Sequence, residues 1–339
     1  MNPIAVYIGS TVLYWSAIII AVGLLAALLM SLALQLSNGG RMVSMLLFFS
    51  LTLLFSIPLC RILHWYCHQE QYDGFMRAVT DYSTGSYVLS AALPAAWIAA
   101  WIAAKLDDGD TAKLLDAAAP GAALAVAFIR LSSLFNNACR GKIAVTTGIL
   151  QHLPLAAANT TSSGAVEFRF ATFFVHFLLL LLLCACMLRF FSRRRKIPMK
   201  AGRSEGNAVC IFLAYFCASE FLMDSTRYDS TFFPMNGFVS VVQIFSCVCI
   251  LLLLIRYSRL SVKANGFRFW HALLWVFFLA ALAGVGMTEY LIPRHGDWYL
   301  SCYTGMTFCC LVLAFIVHRF YLSCCGVPYT ETEPETETE

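Results

Sequence analysis

Nine stretches of this chain are apolar almost throughout, and short polar segments separate them. They run near 12–34, 43–60, 86–104, 114–135, 170–190, 208–224, 237–255, 269–288 and 299–318. Each has roughly the 17–25 residues that a helix needs to cross a hydrocarbon core. The first holds Trp15 and Ile18 to Ile20 with no lysine or arginine ahead of Arg41, so it lacks a signal peptide's positive leader and reads as an anchor. The pattern predicts an all-α integral membrane protein. Residues 1–258 form a seven-helix core, 259–322 carry an extra transmembrane hairpin, and 323–339 make a disordered acidic tail rich in Thr and Glu. The stretch 155–165 reads as an exposed, flexible loop.

Composition agrees: 60% of residues are apolar and 12% charged, outside the soluble globular class. The basic residues then set the orientation. With the N-terminus outside, the inner side carries 15 lysines and arginines, including Arg193 to Arg195, and the outer loops carry 7. This predicts N-out and C-in. The net charge of +4 follows from that topology and implies no nucleic acid partner. Most of the 14 cysteines lie inside spans, and none repeats with zinc spacing. His64, Cys67, His68 and Glu70 gather just after the second span, a grouping more often incidental than a metal site. Neither a metal nor a cofactor is expected. No P-loop, GxSxG elbow or HExxH motif is present.

The intramembrane polar residues carry the chemistry. An arginine inside a span costs about 2.5–3.5 kcal/mol on insertion scales, and Arg130 sits near the outer end of the fourth span. Either it snorkels to the interface or it forks towards a phosphate or carboxylate. Asn136, Arg140 and Lys142 follow and extend a plausible anion site at the outer leaflet. Glu220, Asp224 and Arg227 end the sixth span at spacings of four and three, on one helical face. Arg227 can pair with Asp224, whereas Glu220 lies deeper and needs a partner, for which Arg130 is the natural choice. Tyr87 opens the third span, as an interfacial belt residue or as part of a polar approach.

The residues Asp116, Pro120, Arg130, Leu131, Asn136 and Gly141, in that order and spacing, resemble the central motif of the bacterial prolipoprotein diacylglyceryl transferases. Gly206, Phe212 and Leu213 add a second match, and Ser240, Gln243, Ile244 and Ser246 a third. Arg61 and Ile62 resemble the family's Arg-Ile after its second span. The chain departs from the pattern at Ser16, Tyr87, Ser133, Ala138, Phe216, Glu220 and Val242; Tyr87 stands at the place of the family's histidine, and Glu220 at that of an arginine.

The resemblance implies transfer of a diacylglyceryl group from phosphatidylglycerol to the lipobox cysteine thiol of a prolipoprotein, at the outer leaflet of the bacterial plasma membrane. Under it, Arg130, Glu220, Asp224 and Tyr87 are the expected catalytic residues: Arg130 clamps the departing phosphate, and Glu220 or Asp224 serves as base. Asn136, Gly141, Arg140, Lys142, Arg227 and Gln243 would bind substrate. The departures leave open a second reading, a catalytically degenerate relative that binds phospholipid or lipoprotein precursor without turnover. A third, a channel or transporter, predicts polar residues through the full membrane depth, whereas here they gather at the outer ends.

Overall fold

The computed structural model describes residues 3–8, 11–80, 88–161, 164–196, 205–234, 237, 239–294 and 298–325. Tyr87, the basic side chains from Arg193 to Arg203 and the Thr/Glu tail from 326 onward lie outside the described residues. The helices are α1 (Trp15–Ser37), α2 (Met42–Cys67), the short α3 (Phe75–Thr80), α4 (Ala92–Leu106), α5 (Thr111–Ser132), α6 (Thr172–Lys196), α7 (Asn207–Thr226), α8 (Val241–Asn265), α9 (Phe269–Leu291) and α10 (Tyr299–Cys325). Among the described residues, nine helical segments are long and apolar enough to span a membrane, matching the nine apolar stretches. In hydrocarbon every backbone N–H and C=O needs an internal partner, which a helix provides within itself.

Two small antiparallel hairpins sit outside the helices. The first pairs β1 (Ile4–Ile8) with β2 (Thr11–Tyr14) just ahead of α1. The second pairs β3 (Ala156–Thr160) with β4 (Val166–Phe170), so residues 156–160 of the stretch expected to be a flexible loop form a strand of a hydrogen-bonded hairpin. Its base is closed by Ala171 N–H donating to the Leu155 carbonyl, 2.9 Å, which offers the polar chain a partner that loop composition does not reveal. Two boundaries also move. α2 continues through Cys67, which places Arg61 and His64 on a buried helix face instead of in an outer loop. α10 runs through Cys325, into the segment assigned to the tail.

α7 is the central post: 72% of its apolar window is buried, against 22% for α1, α2 and α9, which face outward. α5, α6, α8 and α10 surround it. α1 lies against α5 through small residues, with Gly121 against Ala27 and Ser31 and Gly23 against Phe128. Close approach of this kind replaces the hydrophobic drive that helices lack in lipid. The expected C-terminal hairpin is present, and it is not peripheral, because α10 packs against both α7 and α8.

At the end of the bundle where α5 begins, polar ties fix the helices. Asp110 caps α5 by accepting from Ala112 N–H at 2.8 Å. Asp107 joins Arg41, at 3.0 Å, and Ser44. Asp116, buried on α5, reaches across to the start of α7, where its two carboxylate oxygens accept from Gly206 N–H (2.9 Å) and Val209 N–H (2.8 Å). The α7 N-terminus thus takes its cap from another helix. Gly206 holds a φ of +77° there, a conformation in which a side chain would be strained.

Candidate membrane-embedded polar site

At the opposite end of the bundle four helix ends converge. α5 and α7 finish there, and α6 and α8 begin there. The segment 136–142 crosses the gap. Gly141 forms an isolated bridge with Arg227, its N–H donates to Phe170 O at 2.8 Å, and Lys142 N–H donates to Thr226 O at 2.7 Å. A Cβ on Gly141 would stand 2.7 Å from Phe170 Cβ, so only glycine permits this approach.

This crossing closes over a set of charged side chains that are buried at 7% exposure or less: Arg130, His176, Glu220 and Asp224. Arg130 Nη2 donates to Glu220 Oε2 at 2.7 Å, and Arg130 Nη1 to Cys139 Sγ at 3.5 Å. The other Glu220 oxygen faces His176 Nε2 at 3.5 Å. Arg227 lies 3.5 Å from Asp224 Oδ1 and donates through Nε to Asp229 Oδ1 at 3.0 Å. Asp229 Oδ2 in turn accepts from Cys139 N–H at 2.9 Å. Ser240 donates to Asp224 and caps α8 with Gln243, whose Oε1 accepts from Ser240 N–H at 2.9 Å.

Three groups above the helix ends have shifted acidities. Burial opposes ionisation of Asp229, but the charge and hydrogen bond of Arg227 and the Cys139 N–H outweigh it and hold the carboxyl below its usual range. Burial lowers Arg140 from the ordinary guanidinium value. Burial, then the neighbouring Asp229, raises the Tyr228 phenol. Arg140 lies over the Phe173 ring, 4.6 Å from its centre, with Nη2 donating to Asn136 O at 3.0 Å. Its buried Nε and Nη1 have no hydrogen-bond partner among the described residues, nor has Arg130 Nε. Three guanidinium nitrogens therefore carry donors with no acceptor among those residues.

The structure brings together Arg130, Glu220, Asp224, Arg227, Gly141 and Arg140. The Arg130–Glu220 and Arg227–Asp224 pairings expected from the sequence are both formed. Other expected residues stand apart. Asn136 is exposed, and its side-chain oxygen accepts from Ala138 N–H at 2.9 Å, so it shapes the turn that carries Arg140. Lys142 points towards Glu289 of α9, 3.9 Å away, and the Gln243 side chain serves the α8 cap. Arg61 donates to Ala78 O at 2.6 Å beneath the short α3. His64 and His68 stack with ring centres 4.3 Å apart, and His64 meets the Tyr72 hydroxyl.

Sequence reasoning missed three members of the site, His176, Cys139 and Asp229, and also Glu289, the carboxylate that draws Lys142 away. Two had a signal. His176 interrupts the otherwise apolar start of the fifth span, and Glu289 is a carboxylate near the end of the eighth. Cys139 and Asp229 look like ordinary loop residues until the helix ends close over them.

A family model described as prolipoprotein diacylglyceryl transferase matches residues 3–258. Two curated relatives, from two strains of Clostridium kluyveri, are named phosphatidylglycerol–prolipoprotein diacylglyceryl transferase. Each is 24% identical over 252 residues, which cover 74% of this chain and 94% of the relative.

Proposed function

The chain belongs to the prolipoprotein diacylglyceryl transferase family, and from that premise we propose that it transfers a diacylglyceryl group from phosphatidylglycerol to the lipobox cysteine of a prolipoprotein. The observation that carries this reading is the set of buried guanidinium nitrogens of Arg130 and Arg140 left without a partner among the described residues, at a face where four helix ends meet. The asymmetry of 15 against 7 basic residues favours an outside N-terminus, which turns that face towards the outer leaflet of a bacterial plasma membrane. Residues 1–258 form the transferase unit in this reading, 259–322 an added hairpin, and 323–339 a tail in the cytoplasm.

The chemistry assigns each group a task. The Nε of Arg130 and the Nε and Nη1 of Arg140 point charge-assisted donors at the lipid phosphate and stabilise charge as it collects on the leaving glycerol phosphate. Glu220 accepts the thiol proton. A cysteine with an ordinary pKa of about 8.5 needs only modest help to ionise. Asp224, fixed by Arg227 and Ser240, holds the α7 end in place.

The competing reading is a relative that binds phospholipid without turnover. It is favoured by the pairing of Arg130 with Glu220, which takes a guanidinium donor that a phosphate would otherwise use. Incubation of the detergent-purified protein with phosphatidylglycerol and a lipobox peptide separates the two. A thioether mass shift that disappears in Arg130→Ala supports the transferase. No product, beside an active relative as control, supports the binding protein.

A further inference from the structure

His176 has no part in the assignment above, yet with Asp224 it is one of the two most deeply buried ionisable side chains of the site, at 1% exposure. It stands on the second turn of α6, and Thr172 at the start of that helix is tied to α7 by a 3.0 Å hydroxyl contact with Thr226. That tie fixes α6 against α7 close to the imidazole. His176 Nε2 then faces Glu220 Oε1 at 3.5 Å, close but not hydrogen-bonded, and neither atom has a hydrogen-bond partner among the described residues. Glu220's second oxygen is held at 2.7 Å by Arg130, so the carboxylate cannot turn away.

Two buried polar atoms aimed at each other in this way are both satisfied when one proton lies between them. We propose that His176 and Glu220 form a proton-sharing pair, in which His176 positions Glu220 and lets it accept the proton of the acceptor thiol. The inference rests on the transferase reading for its chemical purpose. The S–H bond breaks as sulfur bonds to the diacylglyceryl carbon. The C–O bond to phosphate breaks and its electron pair stays on the phosphate oxygen. The proton rests between Glu220 and His176 and ends on that phosphate, so glycerol phosphate leaves with no net change in the site.

Groups from several elements face the pair. Arg130 on α5 and Arg227 at the end of α7 both act on His176, while Asp224 and Cys217 lie within reach of Glu220 on its own helix. Cys139, from the crossing segment, touches Arg130. Arginine and acid are thus already paired, and His176 Nε2 is the group left facing Glu220 Oε1.

The test reads the pair by infrared difference spectroscopy on the full-length protein in nanodiscs, over the pH range in which the protein stays folded. A carboxyl band that shifts with pH and is missing in Glu220→Gln belongs to Glu220. The expected result is that this shift is lost in His176→Gln, and that ¹⁵N-histidine labelling of the wild type reveals an imidazole band titrating in step. The labelled wild type needs no substitution, so a poorly folded variant leaves the test intact. A Glu220 band that does not move with pH, or that moves unchanged in His176→Gln, overturns the pair. Turnover then separates this idea from the reading it rests on. His176→Gln should lower kcat by about 100-fold, with the acid limb of its pH profile removed and phosphatidylglycerol binding retained. A wild type that makes no thioether while its Glu220 and His176 bands titrate together removes the transferase and keeps the proton-sharing pair. Product formed at the wild-type rate and pH profile by His176→Gln removes the relay and keeps the transferase.

Discussion

Glu289 accepts a hydrogen bond from the Ser225 hydroxyl, so the C-terminal hairpin reaches the last turn of α7. Both partners are buried. Tyr303 of α10 adds a 3.3 Å bond to the Ser225 carbonyl, and Lys142 approaches the same carboxylate. The hairpin lies beyond residue 258, where the family match stops, yet it braces the helix that presents Glu220 and Asp224. Glu289→Ala leaves Ser225 without its acceptor and should cost about 1–3 kcal/mol of stability. Thermal unfolding in detergent measures the loss, and an unchanged transition would mean that the hairpin adds packing alone.

Arg130→Ala and Glu220→Ala each strand a buried charge and should destabilise the protein by about 3–5 kcal/mol. Glu220→Gln keeps the shape and a neutral acceptor, so its loss should be smaller. The double variant Arg130→Met/Glu220→Leu should recover much of the stability lost by either alanine variant and none of the activity. A double-mutant cycle on unfolding free energies checks the coupling, and additive losses would contradict it.

Asp116→Ala removes the cap that α5 provides to α7 and should cost about 0.5–2 kcal/mol, with Asp116→Asn retaining part of the effect. Gly206→Ala should also destabilise, because the new Cβ meets Ala112 at 3.3 Å and the backbone there has positive φ. Both lie at the far end of α7, so phosphatidylglycerol affinity in variants that remain folded should match wild type. Lipid-binding titration tests that separation.

The pH dependence follows from Asp229. Its folded carboxyl is held below the unfolded value of about 3.9, so its contribution is present above that value and is lost as pH falls through the lower folded value. Unfolding temperature should therefore drop as the medium is taken below about pH 4. Asp229→Asn should be less stable at neutral pH and show a shallower acid decline. An equally steep decline in the variant would assign the acid sensitivity elsewhere.

Arg140→Ala should weaken binding of phosphatidylglycerol by about 10–100-fold, the range expected for losing hydrogen bonds to a charged group. Binding of neutral diacylglycerol should be unaffected. Equal losses for both lipids would show that the residue acts through the Phe173 packing and not through the headgroup.

Much of this architecture was legible in the chain because lipid imposes one rule on every span. Length and apolarity alone located nine helices, and the cost of burying Arg130 and Glu220 predicted that each needed the other. What stayed hidden depends on how helix ends meet. Asn136 and Lys142 are suitable anion ligands by chemical type, but the first is spent on a turn and the second is drawn to Glu289. His176 and Cys139 carry no local pattern, and their neighbours come from positions far away in sequence. β3 and β4 were hidden for a related reason: each is only five residues long, and their mutual register is what makes them a hairpin.

Two of the polar contacts between α5 and the α7 segment have the same offset. Asp116 meets Gly206 and Arg130 meets Glu220, each pair 90 positions apart, near opposite ends of helices that run in the same direction. At a rise of about 1.5 Å per residue the two bolts stand about 21 Å apart along both rods. A sliding movement of one helix along the other would have to break both at once, so this pair cannot work as a piston. Under the transferase reading, a gap that admits a two-tailed lipid would open elsewhere, among the outer helices and not along this central spar.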